Sequence, residues 1–465
     1  MSSRRIQRVQ DSTHGLMEFH GMETSVVEVL RAPELQRLRR VRQLGLAHLV
    51  FPGAEHSRLA HSIGASYLAI RFARHLREAT RDFLVPLLRP NESAIRDFAI
   101  AALVHDLGHG PMSHLWEREV IGENFDRKAR CRTLELEYED AFASLKWHEL
   151  VGQAILAHKD GPLHRLLEQQ ESGTTERVRY LLLDKYYLPY LPRLLASDID
   201  VDRCDFILRD AIQSGVAYGK YDLEWLIATL NVGVSNGQLV AGFDRRKSPA
   251  VIDQFLNARR SLYETVYYHK TVRAAEGMLG LLLKRVKEYV SANPWPLEEG
   301  GTVLTPFKEA IQGKPLTVMQ VQSLDDYSLW LLIQELSNHG SKDPTFSDLA
   351  KRILARDLYK QVPCSAQKLQ QFLSQPNAHE KIQKAVSPYI PGDVKFYYFV
   401  DNSSFKMFSK ADEERAFFVD VDSDDRIAVP IRDNADVFAH RDTDRDTARL
   451  FCVREAVDSV RKLIS

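Results

Sequence analysis

Cysteine is scarce and scattered. Cys131, Cys204, Cys364 and Cys452 are the only four in 465 residues and form no CxxC pair, which argues against a disulfide framework or a zinc ribbon and fits a reduced cytoplasm. No charge of one sign dominates either. Lys and Arg number 62 against 63 Asp and Glu, a net charge of -1, so no global field draws the chain onto nucleic acid or a membrane, although local basic patches remain open. No segment approaches the ~20 apolar residues of a membrane span, and the amino-terminal MSSRRIQRVQDS lacks the apolar centre of a signal peptide. Internal repeats and low-complexity tracts are missing as well. A soluble, cytoplasmic protein is expected, with a length that is a soft prior for two or three structural units.

What is present is concentrated in residues 98–112, FAIAALVHDLGHGPM. Composition predicts a helix over 95–104, and Gly108, Gly110 and Pro111 stop it just beyond His105 and Asp106. Neighbours on a helix diverge by about 100°, so this pair can share one ion only if other elements bring further ligands. Burying the pair behind AIAALV is costly unless it is paired or bound to metal. Two stretches offer partners: RLAHSIG at 58–64, with His61 on an amphipathic segment, and SDIDVDRCDFILRD at 197–210. The latter holds Asp198, Asp200, Asp202, Asp205 and Asp210, too many for one ion, and spacing alone favours none of them. Asp205 and Arg209 stand i, i+4, so Asp205 can serve as a structural ion-pair partner. Two imidazoles with two carboxylates suit one divalent ion such as Mn, Fe, Zn, Ni or Mg and leave coordination positions open.

Beyond the pair, HGPMSHLWE adds His109, His114 and Glu117. His114 and Glu117 lie i, i+3 at a helix start, so the carboxylate is expected to orient the imidazole and raise its pKa, as a general acid requires. His109 could simply cap a helix. A lone His on a helix, such as His148 in KWHE, is more often structural. The segment 117–149 starts charged and poorly periodic, then turns helical around 141–156. Residues 259–270 are read as one helix with Arg259, Tyr263 and Tyr267 at i, i+4, i+8 and Lys270 one turn after Tyr267. An aromatic core stripe with snorkelling cations would explain it. So would a triphosphate site, which needs several cations in one cleft, here Arg58, Arg203, Arg259 and Lys270. Residues 20–50 place Leu35, Leu38, Val41 and Leu44 at helical spacing, with Arg37, Arg39, Arg40 and Arg42 as a solvated face.

In order along the chain stand DSTHG at 11–15, PELQRLRRVRQLG at 33–45, FPGAEHSRLAHSIG at 51–64, HDLGHGPMSHLWE at 105–117, KWHE at 146–149, IDVDRCDFILRD at 199–210 and ARRSLYETVYYHK at 258–270. The series resembles the H…HD…D signature of the HD-domain metal-dependent phosphohydrolases and, within them, the deoxynucleoside triphosphate (dNTP) triphosphohydrolases. The resemblance implies hydrolysis of a dNTP by water attack at the α-phosphorus, releasing deoxynucleoside and inorganic triphosphate, with an ion held by His61, His105, Asp106 and Asp202. It implies that His114 protonates the departing oxygen beside Glu117, where relatives commonly carry Asp, and that His109 and His148 stabilise phosphate charge. By the same resemblance Gln43 and Leu44 line the sugar pocket, Arg203 contacts phosphate, Phe206 packs near the sugar, Tyr263 belongs to the substrate site, Asp210 binds the 3′-hydroxyl and Tyr267 leaves no room for a 2′-hydroxyl. Some relatives carry a nucleotide activator near 33–39. Arg31 stands where those relatives have an acidic residue, which argues against a guanine-reading form of that site. The relatives assemble as homo-oligomers, so a dimer, tetramer or hexamer is expected.

From about residue 284 the pattern changes. PWPLEEGG at 294–301 reads as a turn, 324–336 and 345–358 as helices, and KFYYFV, AFFVDV, RIAVPI and RLFCV as strands before a last helix at 453–464. The expected fold is mainly α, with an HD-domain helical core over 1–290 and a smaller α+β lobe over 291–465. Two other functions fit parts of the pattern: an HD phosphohydrolase acting on a different phosphate ester, and a nucleotide- or nucleic-acid-binding protein whose HD site is vestigial.

Overall fold

Three helices carry the candidate ligands, and each begins where a side chain takes over the free amides of its first turn. The structure is a computed structural model describing residues 6–122, 124–297, 303–340, 342–408, 416–433 and 445–464. The helix Arg58–Ala79 starts at Ser57, whose hydroxyl accepts from the Ala60 amide. Asn91 accepts from Ala94 at 2.8 Å and starts Glu92–Val104, which is buried from Ala94 onward and ends on His105 as its C-cap. Asp200 accepts from the Arg203 and Ser197 amides at 2.7 and 2.8 Å and starts Val201–Ser214. That helix stops at Gly215, whose φ of 75° favours glycine. Arg58–Ala79 packs between the other two. Close approach is possible because Gly64 has no side chain: a Cβ there would strike the Asp205 carboxylate and the Arg209 guanidinium.

The molecule is mainly α, with three small sheets among the described residues. β1 (Ile6–Asp11) and β2 (Gly15–His20) form an antiparallel hairpin that the sequence reading did not include. β3 (Leu230–Ser235) and β4 (Gln238–Asp244) form a second such hairpin. It is extended by β7 (Phe417–Val419), parallel to β4, and β8 (Ala428–Pro430). A third sheet orders β5 (Lys360–Gln361), β9 (Arg445–Cys452) and β6 (Tyr398–Phe405), with Tyr398 opposite Cys452. The helices Asp326–Ser337, Pro344–Leu354 and Val457–Ile464 and the late strands lie close to their expected places. Of the expected turn at 294–301, residues 298–301 lie outside the described residues. One apolar cluster runs from Met17 and Phe19 through Phe98 and Met278 to Val460 and Ile464, so residues beyond 290 share the core with those before it.

Two helical expectations need correction. Residues 20–50 form short pieces, Thr24–Val29 and Pro33–Gln36 with 3₁₀ turns at Arg37–Arg40 and Gly45–Leu49, because Pro33 and Gly45 interrupt them. Residues 259–270 are not one helix. Pro249–Leu262 passes into a π-helical turn, Tyr263–Tyr267, and a new helix, Lys270–Ala292, starts after a break. A widened turn of this kind often accompanies a functional site.

Candidate active site

His61 lies in the first turn of Arg58–Ala79 and is fully buried. Its Nδ1 donates to Asp205 Oδ2 at 2.8 Å, and His105 Nδ1 donates to the Ala102 carbonyl at 2.8 Å. Both rings therefore present Nε2 to the same space, 3.4 Å apart. Asp202 Oδ1 lies 2.9 Å from one Nε2 and 3.5 Å from the other. Asp106 brings Oδ1 to 3.4 Å from His105 and Oδ2 to 3.8 Å from His61. His61, His105 and Asp106 bring donor atoms within 4.8 Å of one another, close enough for one divalent ion, and Asp202 stands against both imidazoles on the remaining side. Desolvation alone would lower the His61 pKa, but hydrogen bonds to Asp202 and Asp205 raise it to about 10. Asp106, against desolvation, is held well below the usual carboxylate range by Arg58, which donates to it at 2.5 Å.

The carboxylate behind His61 was legible only as a structural ion-pair partner. Asp205 also accepts from His14 Nε2 at 2.7 Å and from Arg209 at 2.8 and 2.9 Å, and Arg209 in turn grips Asp11 at 2.8 Å. The hairpin turn carrying Asp11 and His14 thus fixes the ring orientation of His61. The DSTHG motif was the available signal.

Against Asp106 sits a second cluster, in which His109, His114, Glu117 and His148 bring side-chain N and O atoms within 4.8 Å of one another. His109 Nε2 is 3.3 Å from Asp106 Oδ1, and its ring stacks on His148 with centroids 3.9 Å apart. Glu117 accepts from His148 Nδ1 at 2.9 Å. This corrects the expected pairing: the i, i+3 spacing does not seat Glu117 on His114, because the helix Trp147–Ala157 inserts His148 first. The expected upward shift is corrected with it. Desolvation and the Arg58 charge lower His109 and His114 to about 3, and desolvation lowers His148 to the same value despite Asp106 nearby. His114 is exposed as a residue, yet its ring lies 5.0 Å from that of His109.

A third group lies along Val201–Ser214. Asp202, Phe206 and Asp210 stand at i, i+4, i+8 and share one side of the helix. Tyr267 donates to Asp210 Oδ2 at 2.6 Å, and His56 Nε2 pairs with Asp210 Oδ1 at 2.8 Å, a contact that the sequence did not reveal. The Tyr267 ring meets Phe206 at 6.5 Å and Tyr263 at 4.9 Å. Gln43 adjoins this group, its amide donating to the His56 carbonyl at 3.0 Å, and Leu44 follows as the N-cap of the next turn. The expected cations do not all converge. Arg58 is committed to Asp106 and Ser113, Arg259 donates to the Met407 carbonyl at 2.8 Å, and Lys270 is exposed with no ion pair among the described residues. Arg203 lies 3.4 Å from Asp200, and its buried Nη1 has no hydrogen-bond partner among the described residues.

Residues 58–205, which hold these ligands and the helices that carry them, match the HD domain family, so the chain contains an HD domain. Among its relatives, an uncharacterized protein of Bacillus subtilis, YwfO, is 28% identical over 348 residues, covering 74% of this chain and 69% of its own length. The chicken (Gallus gallus) deoxynucleoside triphosphate triphosphohydrolase SAMHD1 is 28% identical over 282 residues, covering 58% of this chain. The match spans 44% of that relative's length, less than half of it. The crystal structure of a phosphohydrolase from Bacteroides thetaiotaomicron superposes with a TM-score of 0.72 at 22% identity, covering 97% of this chain and 100% of the other. HD domains bind divalent metals. No helix among the described residues is long and apolar enough to cross a membrane.

Proposed function

We propose that this protein hydrolyses dNTPs to deoxynucleoside and inorganic triphosphate, with His61, His105, Asp106 and Asp202 holding one divalent ion. The observation that carries the reading is the row on Val201–Ser214. One rigid helix presents an ion-binding carboxylate at Asp202, an aromatic plate at Phe206 and a carboxylate at Asp210 already bonded to the Tyr267 hydroxyl. A ligand with phosphate at one end and a hydroxylated ring at the other suits that order. When bound, the ion supplies Lewis-acid polarisation of a phosphate oxygen and a lowered pKa for the attacking water.

The chain's own residues supply the rest. His109 and His148 face the phosphate as neutral donors, fixed by stacking and by Glu117. His114 stands on the open side of the cluster, placed to give a proton to the departing 5′-oxygen. Its value near 3 reflects burial first and the Arg58 charge second, and an arriving triphosphate opposes that charge and raises the imidazole pKa. Asp210 accepts the sugar 3′-hydroxyl, and Tyr267 closes the space that a 2′-hydroxyl would need. Arg203, whose Nη1 faces Asp200 but makes no hydrogen bond among the described residues, is the cation best placed for phosphate. We place the catalytic core in residues 1–290 and read the assembly as a homo-oligomer, as for the triphosphohydrolases it resembles.

A product assay with Mn or Mg decides between this and other phosphohydrolases. The four dNTPs are offered singly and as a mixture, and nucleoside, triphosphate, pyrophosphate and orthophosphate are resolved. Deoxynucleoside with intact triphosphate is expected, and turnover confined to the mixture identifies an activator site. Release of orthophosphate alone excludes the reaction. The double variant His105→Ala, Asp106→Ala is expected to lose metal and turnover while keeping its helical circular dichroism, and retained turnover would sink the assignment.

A further inference from the structure

The helix Asp326–Ser337 lies beyond residue 290, yet its first turn reaches the candidate site. Asp326 is 1% exposed. Its Oδ2 accepts from the Arg42 amide and its Oδ1 from the Met112 amide, both at 2.8 Å. Those amides come from two separate segments: one precedes Gln43 and Leu44, and the other opens the turn after the HD pair. Met112 and Ser113 both have a φ of 52°. Two consecutive residues with side chains in the left-handed region need outside support. Ser113 uses this placement, since its Oγ accepts from Arg58 Nε at 2.8 Å while Arg58 Nη1 holds Asp106. The adjoining residues 324 and 325 fasten the same region. Arg37, fully buried, donates to the Leu324 carbonyl at 2.9 Å and to the Leu107 and His109 carbonyls at 2.7 and 2.8 Å, and Arg40 pairs with Asp325 at 2.5 Å.

We propose that Asp326 is a positioning residue for the reaction: it sets the left-handed Met112–Ser113 turn and, through Ser113 and Arg58, the Asp106 carboxylate. The inference rests on the reading of Arg58 and Asp106 as site residues, not on the identity of the nucleotide. Chemistry favours a carboxylate here. Its two oxygens accept from two amides at once, whereas an asparagine offers one acceptor and turns its NH₂ group against the second N–H. A turn released at Met112 loses its aim at Arg58, and Arg58 is the cation that fixes Asp106.

The test uses the full-length protein as wild type, Asp326→Asn, Met112→Gly and the double variant. Metal content, melting temperature and steady-state kinetics are measured on whichever phosphate ester the wild type turns over, with hydrogen exchange of residues 107–113. Asp326→Asn is expected to keep its metal, to lower kcat by about tenfold or more with little change in KM, and to speed exchange at Met112 and Ser113. Glycine adopts the left-handed conformation freely, so Met112→Gly is expected to restore part of the lost kcat in the double variant. A support role confined to folding would lower the melting temperature without that rescue. The proposal is overturned by an unchanged kcat per folded chain, by strictly additive losses in the double variant, or by unaltered exchange over 107–113. The exchange comparison needs no substrate. A wild type that leaves dNTPs intact therefore defeats the proposed function while still deciding the role of Asp326.

Discussion

His61 carries a carboxylate on each ring nitrogen, Asp205 on Nδ1 and Asp202 on Nε2, and the second of these contacts must change when an ion arrives. With its pKa raised to about 10, the free imidazole is protonated at neutral pH, and ligation requires that proton to leave. Metal affinity is therefore expected to rise with pH between 6 and 9, with release of about one proton or more per ion. Calorimetry in two buffers of different ionisation enthalpy reads this directly, and identical heats would refute it. Without added metal the sign reverses. A raised imidazole pKa contributes stability that is complete below the unfolded value of about 6.5 and fades as pH climbs through about 10. Asp205→Asn tests the support behind the ring: metal affinity is expected to fall by about 10–100-fold, since the variant no longer fixes the His61 tautomer.

At the scale of elements, two glycines let helices approach the site, and one nearby glycine serves as a control. A Cβ at Gly108 would meet the His148 carbonyl and the Gly152 amide, backbone atoms that cannot rotate away. Gly108→Ala is expected to cost about 1–3 kcal/mol in a urea melt and to lower turnover by shifting His148. At Gly152 the nearest neighbour is 3.9 Å away, so Gly152→Ala is expected to be neutral or to stabilise by up to ~1 kcal/mol. Loss of stability in both variants alike would show that close approach at Gly108 is not what matters. Elements with strong local signals were legible. The apolar run over 95–104 and the glycines and proline after it marked their helix, and the i, i+4 spacing of Asp205 and Arg209 matched another. The π-turn at Tyr263–Tyr267 was not, because nothing local separates it from a continuous α-helix. The hairpins at 6–20 and 230–244 were overlooked beside stronger helical patterns.

For the whole molecule, a shared core makes the late segment part of the early one. Buried Met278, Leu279, Leu282 and Leu283 belong to the same apolar cluster as Phe346, Leu349 and Phe451. Removing everything after residue 290 would expose that surface at about 25 cal/mol per Å². The 1–290 fragment is expected to aggregate or to lose near-ultraviolet circular dichroism and turnover. A cooperative melt with retained kcat in that fragment would show instead that the early part folds by itself.

The sequence by itself determined the kinds of groups at the site and their order: His61, the His105–Asp106 pair at a helix end, the acidic run from 198 to 210 and the aromatic segment after Arg259. Short-range rules reach that far because helix ends and i, i+4 neighbours are local. Tertiary structure alone decided who pairs with whom. Asp205 turned from a local partner of Arg209 into the support of His61, Glu117 went to His148 rather than His114, and Arg58 was drawn to Asp106. Asp326 entered from more than 200 residues downstream of Met112. Each choice follows from burial, since a charge or amide removed from water must bond to whatever the packing brings within about 3 Å, and packing is a property of the assembled helices.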